Sequence, residues 1–338
     1  MFLDLDDVPG PGRRSCPDAG PARTGTPGVI VVEDESPYAR PNGGAVPPLP
    51  GALPGALPGP LVAVGWLAPR LGTPGLVVLD ASVGAHRGAD RRIPGARTFD
   101  IDGALSDPSS PVPHTMPGAD RFVRELRALG VGDTDTVVVY DAAGVYSSAR
   151  AWWMLRAMGF DRAAVLDGGL PAWVGAGLPV EEGAPGPAPA PGDFTARPRA
   201  GLFADSADVV AALAEPGTAV LDARSRERFS GTAPEPRAGL RGGHMPGAVN
   251  LPFGELQHEG RMRPAAELRA VFGDLVGERE RLVLSCGSGV TACVLALGAE
   301  LAGYRGTAVY DGSWSEWGLP SPLPVVREQG GTEAPRGM

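Results

Sequence analysis

Three cysteines in the whole chain, Cys16, Cys286 and Cys293, are too few for a disulfide framework and fit a reducing compartment. Positive charge is also scarce. Lys and Arg number 30 against 39 Asp and Glu, a formal net charge of -9, which argues against a surface for the phosphate backbone of nucleic acid. Residues 1–10 read MFLDLDDVPG, with acids where a secretory signal carries basic residues and no apolar core behind them, so export is not expected and a cytoplasmic setting is. A membrane span is not expected either. One long uncharged run, Leu282 to Ala299, is interrupted by Ser285, Gly287, Ser288, Gly289 and Thr291, and reads as strand, loop and helix. No Cys and His spacing suggests zinc, and no phosphate loop of the Gly-Lys-Ser type occurs.

Glycine and proline are abundant instead, 50 and 37 of 338 residues, and they are unevenly placed. Residues 1–60 hold 13 of the prolines and end in GALP written twice, a composition that predicts a disordered extension. A second Pro-rich stretch, 183–192, reads as a linker. Two bodies of similar size remain, 61–182 and 193–325, followed by a flexible tail at 326–338.

The two bodies repeat each other. Leu79-Asp80-Ala81-Ser82 matches Leu221-Asp222-Ala223-Arg224, and Ile93-Pro94-Gly95-Ala96 matches Met245-Pro246-Gly247-Ala248. Further on, Val139-Tyr140-Asp141 matches Leu284-Ser285-Cys286, and Leu166-Asp167-Gly168-Gly169 matches Tyr310-Asp311-Gly312-Ser313. Matches in one order at offsets of 142 to 152 indicate an internal duplication. Short β-rich runs, Leu76 to Leu79 and Ala219 to Leu221, alternate with helical patterns, Asp120 to Leu129 and Ala265 to Phe272. That alternation predicts an α/β chain with a mainly parallel sheet flanked by helices in each body.

Cys286 stands where a strand ends and a helix begins, with Val290, Val294, Leu297 and Leu301 spaced to share one face of that helix. Open α/β sheets place their ligands at such strand ends. The intervening loop, Cys286-Gly287-Ser288-Gly289-Val290-Thr291, has two glycines that let successive N–H groups turn inward, forming with the helix N-terminus a cradle for negative charge. Such surroundings can lower a cysteine pKa from about 8.5 to roughly 3.5–7.5. A lone cysteine is commonly a small buried hydrophobe; the strand, glycine loop and helix together favour a nucleophile. Cysteine loops of phosphatases and arsenate reductases carry an arginine six residues past the cysteine, and Ala292 stands there, which disfavours phosphoester chemistry. Cys293 lies in the following helix and is expected to pack rather than react.

These motifs resemble the two-domain rhodaneses, most closely the 3-mercaptopyruvate sulfurtransferase branch. The resemblance covers about residues 61 to 325. It rests on the loop Cys286 to Ala292, on Arg228-Phe229-Ser230-Gly231 with Pro234-Glu235-Pro236-Arg237, on Gly243-His244-Met245-Pro246-Gly247-Ala248 and on Tyr310-Asp311-Gly312-Ser313-Trp314. It implies a catalytically silent first domain, with Asp141 where the second has Cys286.

For the site, the resemblance implies Cys286 as the persulfide carrier. It makes Arg228 and Arg237 the carboxylate-binding cations, with Gly287, Gly289, Val290 and Thr291 as the substrate-facing loop. Ser288 is the hydrogen-bond donor, and Asp102 and His114 of the first domain assist proton movement, although one extra residue lies between them. Arg224 and Arg241 are near enough in sequence to be confused with the binding pair. His244 is expected to be structural, and Arg92 takes the corresponding place in the first domain, where histidine is usual. The implied reaction moves sulfur from a small-molecule donor to a thiol, cyanide or thioredoxin-like acceptor and requires no cofactor and no metal. Thiosulfate as donor, and a non-catalytic partner-binding module, are the alternatives.

Overall fold

The computed structural model describes residues 56–88, 90–183 and 186–327. Each half of the duplication forms one five-stranded sheet, and all paired strands within both sheets are parallel. The first runs Leu61–Val62, Ala163–Leu166, Thr136–Tyr140, Leu76–Asp80 and Arg97–Thr98 in spatial order. The second repeats that order with Phe203–Ala204, Gly306–Tyr310, Arg281–Ser285, Thr218–Asp222 and Val249–Asn250. Helices cover both faces, so the interior strands Thr136–Tyr140 and Thr218–Asp222 are buried along their whole length. This is why these runs read as continuous rather than alternating hydrophobics. The expected fold class is the one observed, with the predicted helices at Ala119–Ala128 and Ala265–Val276.

The largest apolar cluster ignores the boundary between the halves. Leu79, Phe122, Trp152 and Met154 of the first share it with Leu221, Phe272, Leu284 and Leu297 of the second. The helices Ser148–Ala157 and Ala292–Ala302 lie against each other within it. Ala292 through Ala299 are accordingly buried on every side, so the single apolar face expected from Val290, Val294, Leu297 and Leu301 is a correction: Val290 precedes the helix, and the first domain covers the opposite face. Burial on both sides also explains the uncharged run. No helix among the described residues is long and apolar enough to cross a membrane.

Of the extension placed at 1–60, residues 1–55 lie outside the described residues, whereas Leu57 packs on the first core and Pro60 O accepts the Val165 N–H. Ala184 and Pro185 of the 183–192 linker are likewise outside. Its ends are held, since Gly183 N donates to Asp90 O and Gly192 N to Arg127 O. Phe194, beyond the linker, is buried against Phe122 and Phe160 of the first domain. Of the 326–338 tail, residues 328–338 are outside, and Val326 exchanges backbone hydrogen bonds with His244.

Candidate active site

Cys286 follows directly on the strand Arg281–Ser285, the middle strand of the second sheet, and is 1% exposed. Its loop is fastened from the segment after the neighbouring strand Gly306–Tyr310. Cys286 N donates to Ser313 Oγ at 3.1 Å, and Cys286 O accepts from Trp314 N at 2.9 Å. Gly287 O accepts from both Ser315 N and Ser315 Oγ. Ser313 holds a left-handed backbone, φ 47°, and its hydroxyl also donates to Tyr310 O. Its counterpart Gly169 lacks a side chain because a Cβ there would lie 2.3 Å from Asp141 O and Gly144 O.

The matching loop of the first domain shows what such a cradle holds. Asp141, in the place of Cys286, is buried, and its carboxylate accepts the N–H groups of Ala143, Tyr146 and Ser148 at 2.8–2.9 Å. The corresponding N–H groups of Ser288 and Thr291 meet no acceptor among the described residues. One loop is thus closed on its own carboxyl group, whose pKa burial raises, while the other keeps open donors in the loop that follows Cys286. Gly144 and Gly289 occupy matching positions, and both take positive φ.

The structure brings Ser288, His114 and Asp102 into one hydrogen-bonded run. His114 Nδ1 lies 2.9 Å from Ser288 Oγ, and Nε2 lies 3.0 Å from Asp102 Oδ1. Asp102 Oδ2 accepts the Gly84 N–H. Burial alone would raise the Asp102 pKa, but the His114 ring and the Gly84 N–H outweigh it and hold the carboxyl below its ordinary value. The extra residue between Asp102 and His114 does not part them; His114 takes a left-handed φ of 62°. A cavity of about 90 Å³ borders this run, lined by Ser82, Val83, His86, Tyr146, His114 and Ser288 among others.

The arginines separate into two kinds. Arg224 is fully buried, bonded to Asp222 and to Glu235 Oε1, with Trp314 beneath it at 3.9 Å. Arg241 spends its donors on Trp317 O, Gly318 O and Leu323 O. Both are structural. Arg228 bonds Glu235 Oε2 at 2.8 Å, and its Nη2 would lie 3.1 Å from a Cβ placed on Gly287. Arg237 donates to Ser315 Oγ at 2.8 Å. Burial pushes the Arg237 guanidinium below its ordinary value; Cys286 works against that shift and Arg228 adds to it. Among the described residues no ion pair joins Arg237 to a carboxylate, and its charge is felt by both Cys286 and Glu235.

Cys293 is fully buried, donates to Gly289 O at 3.3 Å, and has its pKa pushed up to about 12 by burial. His244 stacks on Phe229 at 3.9 Å, with Nδ1 2.9 Å from Phe229 O. Arg92 pairs with Glu181 and donates to Gly183 O. Among the described residues no group of His, Cys, Asp and Glu could hold a metal ion. Sequence reasoning missed Ser313, Ser315, Glu235 and Arg150. Glu235 and Ser313 stood inside quoted motifs, whereas Ser315 and Arg150 carried no local signal.

A twice-repeated parallel α/β unit, with a cysteine loop at the end of the central strand of one copy, places the chain in a class of two-domain α/β proteins built around a cysteine loop. The rhodanese-like domain model matches residues 63–176 and 205–319, and the chain belongs to the rhodanese family. It is 42% identical over 286 residues to the human 3-mercaptopyruvate sulfurtransferase, covering 79% of this chain and 95% of that one. The Escherichia coli K12 3-mercaptopyruvate sulfurtransferase is 40% identical over 275 residues, 78% of this chain and 96% of the other. The crystal structure of SseA from Escherichia coli superposes with a TM-score of 0.68 at 37% identity, covering 76% of this chain and all of that one.

Proposed function

We propose that the chain transfers sulfur from 3-mercaptopyruvate through a persulfide on Cys286 to a thiol, cyanide or thioredoxin-like acceptor, releasing pyruvate, in a cytoplasmic setting. The names of its relatives support the reaction class. The observation that carries the choice of donor is the run Asp102–His114–Ser288. Thiosulfate gives up sulfur by S–S cleavage and leaves sulfite, which needs no proton. Mercaptopyruvate gives it up by C–S cleavage and leaves an enolate, which does.

Arg228 and Arg237 hold the donor carboxylate, Arg237 being the one with no directly bonded carboxylate among the described residues. The Cys286 thiolate attacks the donor sulfur. The new S–S bond forms as the C–S bond breaks, and that electron pair passes into the pyruvate enolate. Ser288 Oγ–H donates to the developing enolate oxygen and the Nδ1 proton of a cationic His114 replaces it; ionised Asp102, bonded to Nε2–H, stabilises that cation beforehand, and the ring ends neutral with the Asp102 bond kept. The N–H groups from Gly287 to Thr291 receive the outer sulfur. An acceptor thiolate then takes it, breaking the S–S bond and restoring the Cys286 thiolate.

The test is intact-mass analysis with pyruvate quantitation after one turnover. One sulfur gained per chain with one pyruvate released is expected from mercaptopyruvate, with slower loading from thiosulfate. Faster loading from thiosulfate overturns the donor assignment, and no sulfur from either donor overturns the enzyme.

A further inference from the structure

The first domain does more than supply His114 and Asp102. Arg150, on its helix Ser148–Ala157, is fully buried, and its guanidinium lies between the two domains. Nη2 donates to His114 O at 2.7 Å and to Asp311 Oδ1 at 2.6 Å, and Nη1 approaches Gly289 O at 3.4 Å. The Phe203 ring closes the other side, 4.6 Å from the guanidinium carbon. Asp311 uses its second oxygen to accept the Met116 N–H at 2.8 Å. One ion pair therefore grips the His114–Met116 segment of the first domain and the Gly289 turn of the second.

We infer that Arg150 is a positioning residue for sulfur transfer: with Asp311 it fixes the His114 backbone against the cysteine loop, so that the imidazole meets Ser288. This rests on the proton relay proposed above. A histidine at φ 62° is in a sparsely populated conformation that persists only where its surroundings impose it. The imposing contact is the carbonyl bond from Arg150, which sets the peptide plane and hence the direction of the ring. The same guanidinium touches the carbonyl of Gly289, next to Ser288. Both ends of the 2.9 Å His114–Ser288 contact are thus referred to one rigid planar group. Lysine keeps the charge opposite Asp311, but an ammonium cannot present a planar fork to three oxygens at once.

The experiment compares full-length wild type, Arg150→Lys, His114→Asn and the double variant. Arg150→Lys is expected to lower kcat for mercaptopyruvate by about ten- to a hundred-fold with KM changed less than about threefold, because Arg228 and Arg237 remain in place. The double variant should be no slower than His114→Asn alone. The substrate-free readout is imidazole ¹⁵N NMR of the four histidines. The His114 ring should show hydrogen bonds at both nitrogens in wild type and lose the Nδ1 partner in Arg150→Lys. If Arg150→Lys leaves the ring signature and kcat unchanged, or if its loss multiplies with that of His114→Asn, the inference is overturned. If wild type does not turn over mercaptopyruvate while the ring signature depends on Arg150, the donor assignment falls and the positioning role stands. Should Arg150→Lys fail to fold, Asp311→Asn, which keeps an oxygen acceptor but removes the charge, is read by the same criteria.

Discussion

Asp167 and Asp311, equivalent residues of the two repeats, each reach into the opposite domain and accept one backbone N–H there. Asp167 Oδ1 takes that of Met262 at 2.9 Å, and Asp311 Oδ2 takes that of Met116 at 2.8 Å. The duplication is therefore also a docking device: the same side chain, used twice, joins the halves reciprocally. Gln257 Nε2 on Val145 O, and the close approach of Gly144 to Gly260, add to the Asp167 side. A cleft held from both directions can keep His114 of one domain within hydrogen-bond distance of Ser288 of the other.

Cys286→Ser is expected to abolish transfer from every donor, since a neutral hydroxyl does not attack divalent sulfur effectively. Intact-mass analysis after exposure to mercaptopyruvate reads this directly. A serine variant that still gains one sulfur would move the carrier elsewhere.

Arg237→Ala removes a guanidinium whose charge is felt at Cys286. A charge-assisted hydrogen bond is worth about 1.5–3 kcal/mol, so kcat/KM for mercaptopyruvate should fall roughly ten- to a hundred-fold. Steady-state kinetics with both donors checks it. Equal losses for mercaptopyruvate and thiosulfate would show that Arg237 supports the loop rather than the donor carboxylate.

Asp102→Asn keeps an acceptor for the Gly84 N–H but withdraws the charge facing His114. The Asp102 pKa is depressed in the fold, so its contribution to stability is present above the unfolded value of about 3.9 and is lost as pH falls through the lower folded value. Urea unfolding of wild type and variant should differ at pH 5 and above, and the difference should be lost as pH falls below about 3.9. A difference that vanished already at pH 6 would contradict the ionised state. At neutral pH the variant should slow mercaptopyruvate turnover while sparing loading from thiosulfate.

Cys293→Ser should leave loading of Cys286 intact, because a thiol held up to about 12 is not a thiolate at neutral pH and the serine hydroxyl can still donate to Gly289 O. Peptide mapping after alkylation at pH 8 should show no label on Cys293 of the folded wild type. Label there, or loss of the sulfur gained per chain in the variant, would bring Cys293 into the chemistry.

The order of short apolar runs determined two parallel sheets, and the matched motifs determined that they arose from one repeated unit. Both are legible because strand and helix periods are local properties of the chain. The cysteine loop was legible for the same reason, since Gly287 to Thr291 are contiguous and lie between a strand and a helix. Arg228 and Arg237 drew notice only through a resemblance, and nothing local distinguished them from Arg224 and Arg241. Tertiary structure made that distinction by burying Arg224 between Asp222 and Glu235 and spending Arg241 on carbonyls. It also decided that His114 meets Ser288 across 174 residues of chain, and that Arg150, the fully buried one of two arginines on its helix, is bonded beside both. Those contacts depend on how two finished domains bury their shared apolar faces. That docking is set by the shape of both surfaces at once, which no local pattern in either segment encodes.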